Sequence, residues 1–185
     1  MRSKELLLIK NEEMDCCPTN ELTGTKSPAQ VMGTQESMTG TDRCVRCDGK
    51  GRAVSRKTVL LMLKPVFLEH TMSGSYSFCP ERDCPVVYFD ETGERHFTVD
   101  DLRIRVGLKV KDDPIPLCYC FGFDENHVRE EIAKTGRTSI PERISKLIRE
   151  GLCACDTRNP AGVCCLGEVN KNAKRLEISQ ETFGK

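Results

Sequence analysis

Tryptophan is absent from the 185 residues, and aromatic side chains make up only 5% of them. So sparse a supply excludes a core built on large aromatic packing. Long hydrophobic runs are also missing. No stretch approaches the roughly 18 apolar residues a membrane-spanning helix needs, so membrane insertion is not expected. Charge of one sign is missing too: Lys+Arg and Asp+Glu both number 28. No net field therefore draws the chain to nucleic acid or an anionic membrane, and nucleic acid is not an expected partner. Gly49-Lys50-Gly51 is too short for a phosphate-binding loop and follows no strand signal. No Ser/His/Asp nucleophile arrangement can be assembled either, so nothing in these residues points to an enzyme.

What the chain has in excess is cysteine, with twelve residues. A thin core needs staples or metals, and the compartment decides between them. The N-terminus carries four apolar residues in a row, Leu6 to Ile9, before Lys10. A secretory leader needs about 7–15, so the expected compartment is the cytoplasm, where thiols stay reduced. The cysteines also fall in close pairs: Cys16-Cys17, Cys44/Cys47, Cys79/Cys84, Cys118/Cys120, Cys153/Cys155 and Cys164-Cys165. Pairs converging from separate segments suit metal centres rather than a disulfide framework.

Three regions follow from patterning. Residues 1–42 read as a disordered or weakly ordered tail, because Pro18–Asp42 is rich in Thr, Ser, Gly and Gln with no apolar period. A short helix over Lys4–Met14 fits within it. Residues 43–113 read as a β-rich subdomain. Thr58–Leu63 is a buried strand or short helix, and Ser75–Phe78 and Val86–Phe89 are strands. Leu102, Ile104, Val106 and Leu108 alternate with Arg103, Arg105, Gly107 and Lys109, which predicts a half-buried strand. Asp112-Asp113-Pro114-Ile115-Pro116 marks the boundary. Residues 114–185 read as three helices. One is capped by Asp124 and ends before Gly136, one starts near Pro141 with an Ile144, Leu147, Ile148 stripe, and one starts near Gly167 with Val169, Ala173 and Leu176 on one face. The expected class is α+β: a small zinc-bound β-rich subdomain followed by a helical subdomain.

Cys44-Val45-Arg46-Cys47-Asp48-Gly49 is a CxxC knuckle with a turn glycine, and Cys79 and Cys84 supply a second pair. Four thiolates at tetrahedral positions suit zinc in a closed structural site. Cys44, Cys47, Cys79 and Cys84 are the expected zinc ligands, with His70 and His96 as weaker substitutes. Six further cysteines exceed what one mononuclear ion uses. Cys118-Tyr119-Cys120 precedes one predicted helix, Cys153-Ala154-Cys155 follows the next, and Cys164-Cys165 precedes the last. A [2Fe–2S] cluster uses four thiolates over two irons.

The run Cys118-x-Cys120-Phe-Gly-Phe-Asp, a helix, a Thr-Ser-Ile-Pro helix start and cysteines some way on resembles bacterioferritin-associated ferredoxin modules, which are small helical [2Fe–2S] units. With Phe78-Cys79, Cys84-Pro-Val-Val-Tyr-Phe, Arg105-Val-Gly-Leu-Lys, Pro116-Leu-Cys-Tyr-Cys and Asn159-Pro-Ala-Gly-Val-Cys-Cys-Leu-Gly included, residues 43–178 resemble the N-terminal domain of CopZ-type copper chaperones. The resemblance implies one zinc and one [2Fe–2S] cluster. By the family pattern Cys118, Cys120, Cys153 and Cys165 hold the cluster, with Cys164 the alternative to Cys165, and Cys155 is spare. CopZ chaperones also carry a copper-binding domain with an MxCxxC loop. No MxCxxC occurs in these residues, so delivery of copper by that loop is not expected.

The function this implies is one-electron transfer or redox support of copper or other soft-metal handling, with a redox partner protein. Two readings stand beside it: a ferredoxin-like adaptor or redox sensor that docks a partner, and a purely structural zinc protein. Cys16-Cys17 near Met14 reads as an exposed pair or a soft-metal arm. Arg103, Arg105 and Lys109 read as a solvated strand face or a docking patch. His127 reads as a surface helix position or a group near the cluster.

Overall fold

The computed structural model describes residues 41–71 and 73–183, with side chains as far as residue 180 in the last helix. The expected tail, its helix and Cys16-Cys17 lie outside these residues, save for Thr41 and Asp42.

Four short strands form one antiparallel sheet in the order β1 (Arg52–Val54), β2 (Tyr76–Phe78), β3 (Val86–Asp90), β4 (His96–Thr98). Helix α1 (Arg56–Met62) lies between β1 and β2, so the TVLLML run is helical. Ser55 accepts from the Thr58 amide at 3.0 Å, which starts the helix immediately after β1. β3 is inside the sheet and buried along its whole length. A register shift against β4 lies between Val86 and Tyr88. Such a bulge breaks strict alternation. Val87 and Tyr88, adjacent in sequence, thus both join a core with Val59, Met62, Leu63, Phe78, Phe97, Leu102 and Val106. Val86 and Phe89 are left to pack with Cys44, Cys79 and Cys84.

The alternating stretch from Leu102 to Leu108 is not a strand. It is a chain of bends and turns whose Leu102 and Val106 join the sheet's core, with Ile104 and Leu108 packed against it. Leu102 makes one bridge to Leu63, and the Lys109 and Val110 amides donate back to the Val106 carbonyl at 2.8 and 3.1 Å. Its apolar residues are buried because they pack against the sheet's core, not because the backbone is extended.

A two-stranded hairpin, β5 (Pro116–Cys118) and β6 (Phe123–Asp124), then leads into the helices α2 (Glu125–Thr135), α3 (Ile140–Arg149), α4 (Cys155–Arg158) and α5 (Leu166–Phe183). Asp124 caps α2 by accepting from the His127 amide at 3.1 Å, while His127 Nδ1 lies 2.7 Å from the Asp124 carboxylate. Gly136 ends the helix at φ 79°, a left-handed conformation that costs glycine little. Val128, Ile132, Ile140, Ile144, Val169, Ala173 and Leu176 form the helical core. Glu125 is buried at its edge and tied by Arg129 of α2 and Arg175 of α5, so its charge is compensated. The architecture is α+β.

Candidate metal centres

The first centre grows out of two knuckles. In the loop before β1 the Cys44 amide donates to the Gly49 carbonyl at 2.9 Å and the Asp48 amide to the Cys44 carbonyl at 2.9 Å. Asp48 takes a left-handed φ of 57°, which tightens the turn, and Arg43 Nη1 donates to its carbonyl at 2.7 Å. The second knuckle closes where the Cys84 amide donates to the Glu81 carbonyl at 3.3 Å. Together they bring the four sulfurs of Cys44, Cys47, Cys79 and Cys84 within 4.8 Å of one another. Cys44 Sγ lies 3.8 Å from Cys84 Sγ, and Cys47 Sγ lies 3.6 Å from Cys79 Sγ. A tetrahedral ion with bonds of about 2.3 Å holds its sulfurs about 3.8 Å apart, so the donor set fits zinc. Three of the cysteines are buried and Cys47 is exposed.

Backbone amides are aimed at these sulfurs. Burial acts to raise the Cys44 thiol, but the amides of Arg46 and Cys47 and the neighbouring thiols outweigh it and hold it below its ordinary value. Burial pushes Cys79 and Cys84 up, opposed by the amides of Glu81 and Val86 respectively. Lys109 adds a group the sequence did not single out for this role. Its ammonium donates to the carbonyls of Glu81 at 2.8 Å and Cys84 at 3.0 Å, brings positive charge to Cys79, and lies over the Phe78 ring. Nothing in the sequence marks it, because it comes from the turn after Val106 rather than from either knuckle. His70 and His96 are exposed, and neither joins the four-thiol group.

The second group of thiols sits where the β5–β6 hairpin, α4 and the start of α5 meet. Cys118 and Cys120 come from the hairpin, Cys155 opens α4, and Cys165 precedes α5. Cys120 Sγ lies 3.5 Å from Cys155 Sγ and accepts from the Ala154 amide at 3.4 Å. The Cys118 and Cys165 side chains bear on each other. The Cys165 side chain, first, and the amides of Phe121 and Cys120 hold Cys118 down at about 6, against its burial. Cys165 is pushed far up by Cys118 and by burial. Burial pushes Cys155 up to about 12. Cys153 is half-buried against the helical core, and Cys164 is exposed. Every described cysteine is a free thiol.

The two groups differ in spread. Among the described residues the four-thiol knuckle site is the one place where three or more such ligand atoms lie within 4.8 Å of one another. In the second group no three sulfurs gather that closely: Cys120 and Cys155 lie 3.5 Å apart, and Cys118 and Cys165 bear on each other. Tyr119, between the hairpin cysteines, accepts from the Gly107 amide at 2.7 Å and donates to the Arg105 carbonyl at 3.2 Å. The three cations read as a solvated strand face or a docking patch are engaged with backbone carbonyls: Arg103 with Leu60, Arg105 with Pro114 and Asp112, and Lys109 as above.

The chain matches known proteins. The zinc-binding domain family zf_CopZ matches residues 41–103, which contain the whole knuckle site. Copper chaperone CopZ of Archaeoglobus fulgidus is 33% identical over 147 residues, covering 74% of this chain and 69% of that protein. The crystal structure of the N-terminal domain of the same organism's CopZ matches with a TM-score of 0.58 at 31% identity, covering 70% of this chain and 95% of that one. No helix among the described residues is long and apolar enough to cross a membrane. With the four-thiol site inside the matched zinc-binding region and a CopZ relative 33% identical that covers 74% of this chain and 69% of its own, the chain belongs to the CopZ family.

Proposed function

We propose that this chain is a zinc-braced [2Fe–2S] protein that passes single electrons in support of copper or other soft-metal handling. Cys44, Cys47, Cys79 and Cys84 hold the zinc, which acts structurally. Cys118, Cys120, Cys155 and Cys165 hold the cluster. Cys155 takes the place that the family pattern gives to Cys153, because its sulfur sits against that of Cys120.

The observation that carries the reading is the pairing of the second group. Cys120 with Cys155, and Cys118 with Cys165, make two thiol pairs, and no three of these four sulfurs gather within 4.8 Å of one another as the knuckle sulfurs do. Two pairs are what a centre of two irons needs, since each iron takes two thiolates. A purely structural second zinc would draw all four sulfurs to mutual distances of about 3.8 Å.

The chain's own groups do the rest. The Phe121 and Cys120 amides favour the Cys118 thiolate, and the Ala154 amide points at Cys120. Cys120 is half-buried, so the site reaches the surface, where a partner or a copper ion can approach. A [2Fe–2S] cluster bound there supplies a one-electron couple. The relative's printed name, copper chaperone, supports Cu(II) as the electron acceptor, with Cu(I) as product. The test uses anaerobically prepared protein, reduced, desalted and mixed with Cu(II) and a Cu(I)-specific chelator. About one Cu(I) per chain is expected, because the centre carries one electron. A reduced, coloured protein that forms no Cu(I) would remove copper from the proposal. A colourless protein would remove the cluster.

A further inference from the structure

The two metal centres share no ligand, yet the segments carrying the second are fastened to the part of the fold that holds the first. We infer that three hydroxyls, those of Thr58, Tyr88 and Tyr119, position the cluster thiols against the zinc-bearing half. In this way they set how tightly the cluster is kept. The inference rests on the cluster reading above.

The geometry is specific. Cys155 and Cys165 are joined by α4 and a loop, and that connection lies on the sheet. Thr58 of α1 is fully buried; its hydroxyl donates to the Asp156 carbonyl at 2.6 Å while the Ser55 hydroxyl lies 2.7 Å away. Tyr88 of β3 is also fully buried, and its hydroxyl donates to the Pro160 carbonyl at 2.8 Å. Ala161 packs on the sheet's core, and a side chain at Gly162 would meet Val54. Within the loop, Asn159 ties its own turn by donating to the Val163 carbonyl at 2.6 Å. Tyr119 does the same service for the hairpin thiols through Arg105 and Gly107.

Each strut ends on a carbonyl or amide only one to five residues from a proposed ligand, or, for Tyr119, starts between two of them. Two of the donors, Thr58 and Tyr88, come from elements that the knuckle site organises: β3 follows Cys84 directly, and α1 follows β1 after the first knuckle. A hydroxyl lost here leaves a carbonyl without its donor, inside the core at Pro160 and at its edge at Asp156 and Arg105, and the segment relaxes away from the sulfur position the cluster needs. The conservative change at Thr58 separates this role from bulk packing, because serine keeps the hydroxyl and valine keeps the volume.

The experiment compares Tyr88→Phe, Tyr119→Phe, Thr58→Val and Thr58→Ser with the parent as full-length, cluster-loaded protein. Zinc content is measured first, then the rate at which an iron chelator bleaches the visible absorption. Expected are full zinc in all four, iron release roughly tenfold faster in Tyr88→Phe, Tyr119→Phe and Thr58→Val, and a near-parental rate in Thr58→Ser. A parental rate in the three hydroxyl-deleted variants overturns the inference. So does equal acceleration in Thr58→Ser and Thr58→Val, which would mean packing rather than the hydroxyl matters. A parent protein without iron or sulfide would instead overturn the cluster reading on which it stands.

Discussion

Cys153 and Cys155 are separated by a single residue, and their surroundings separate them further. Cys155 faces the Cys120 sulfur at 3.5 Å, whereas Cys153 packs against the helical core. Cys155→Ser should therefore lose most of the iron and the visible colour, and Cys153→Ser should keep both; metal analysis of the two purified variants decides it. The same logic applies to the neighbouring pair. Cys165 is buried beside Cys118 and Cys164 is exposed, so Cys165→Ser should bleach the protein and Cys164→Ser should not. Spacing narrows six cysteines to three segments, and the family resemblance names Cys153 where the structure sets Cys155 against Cys120. Spacing alone cannot say which member of a CxC or a CC turns inward. For Cys155 the placement comes from α4, a single turn of helix too short to show a period, which Thr58 fastens to the sheet's half.

The elements whose ends carry their own chemistry were legible beforehand. Asp124 and Gly136 bound α2, and the second helix begins within a residue of Pro141, as their capping roles imply. Residues 102–108 were not legible, because burial against a sheet can imitate strand alternation in a chain that only bends past it. Gly107 belongs to that stretch. A Cβ there would lie 1.9 Å from the Pro116 carbonyl oxygen. Gly107→Ala should destabilise the fold by roughly 1–3 kcal/mol or more, measured by denaturant unfolding. The α2–α3 junction makes a pH-dependent case. Burial acts to raise the Glu131 carboxyl, but the Ser139 amide, the Thr138 hydroxyl and Arg143 outweigh it and hold it below the ordinary carboxylate value. Its contribution is therefore complete above that ordinary value and fades as pH falls through the lowered one. Glu131→Gln should cost about 1 kcal/mol near neutral pH and progressively less in acid, as paired melts across pH would record.

At the scale of the whole molecule, the poor supply of aromatic side chains and the abundance of cysteine describe one design. The sheet's core is small, and three of its neighbouring buried residues are the thiols Cys44, Cys79 and Cys84. Zinc then adds folding free energy that the apolar residues alone do not supply. Cys44→Ser or Cys84→Ser should each lose about one zinc per chain and much of the sheet's thermal stability, read by metal analysis and calorimetry. If one chain carries two different metal centres, protein purified without oxygen should contain about one zinc, two irons and two acid-labile sulfides per chain, as metal and sulfide analysis would count. About two zincs with neither iron nor sulfide would contradict it.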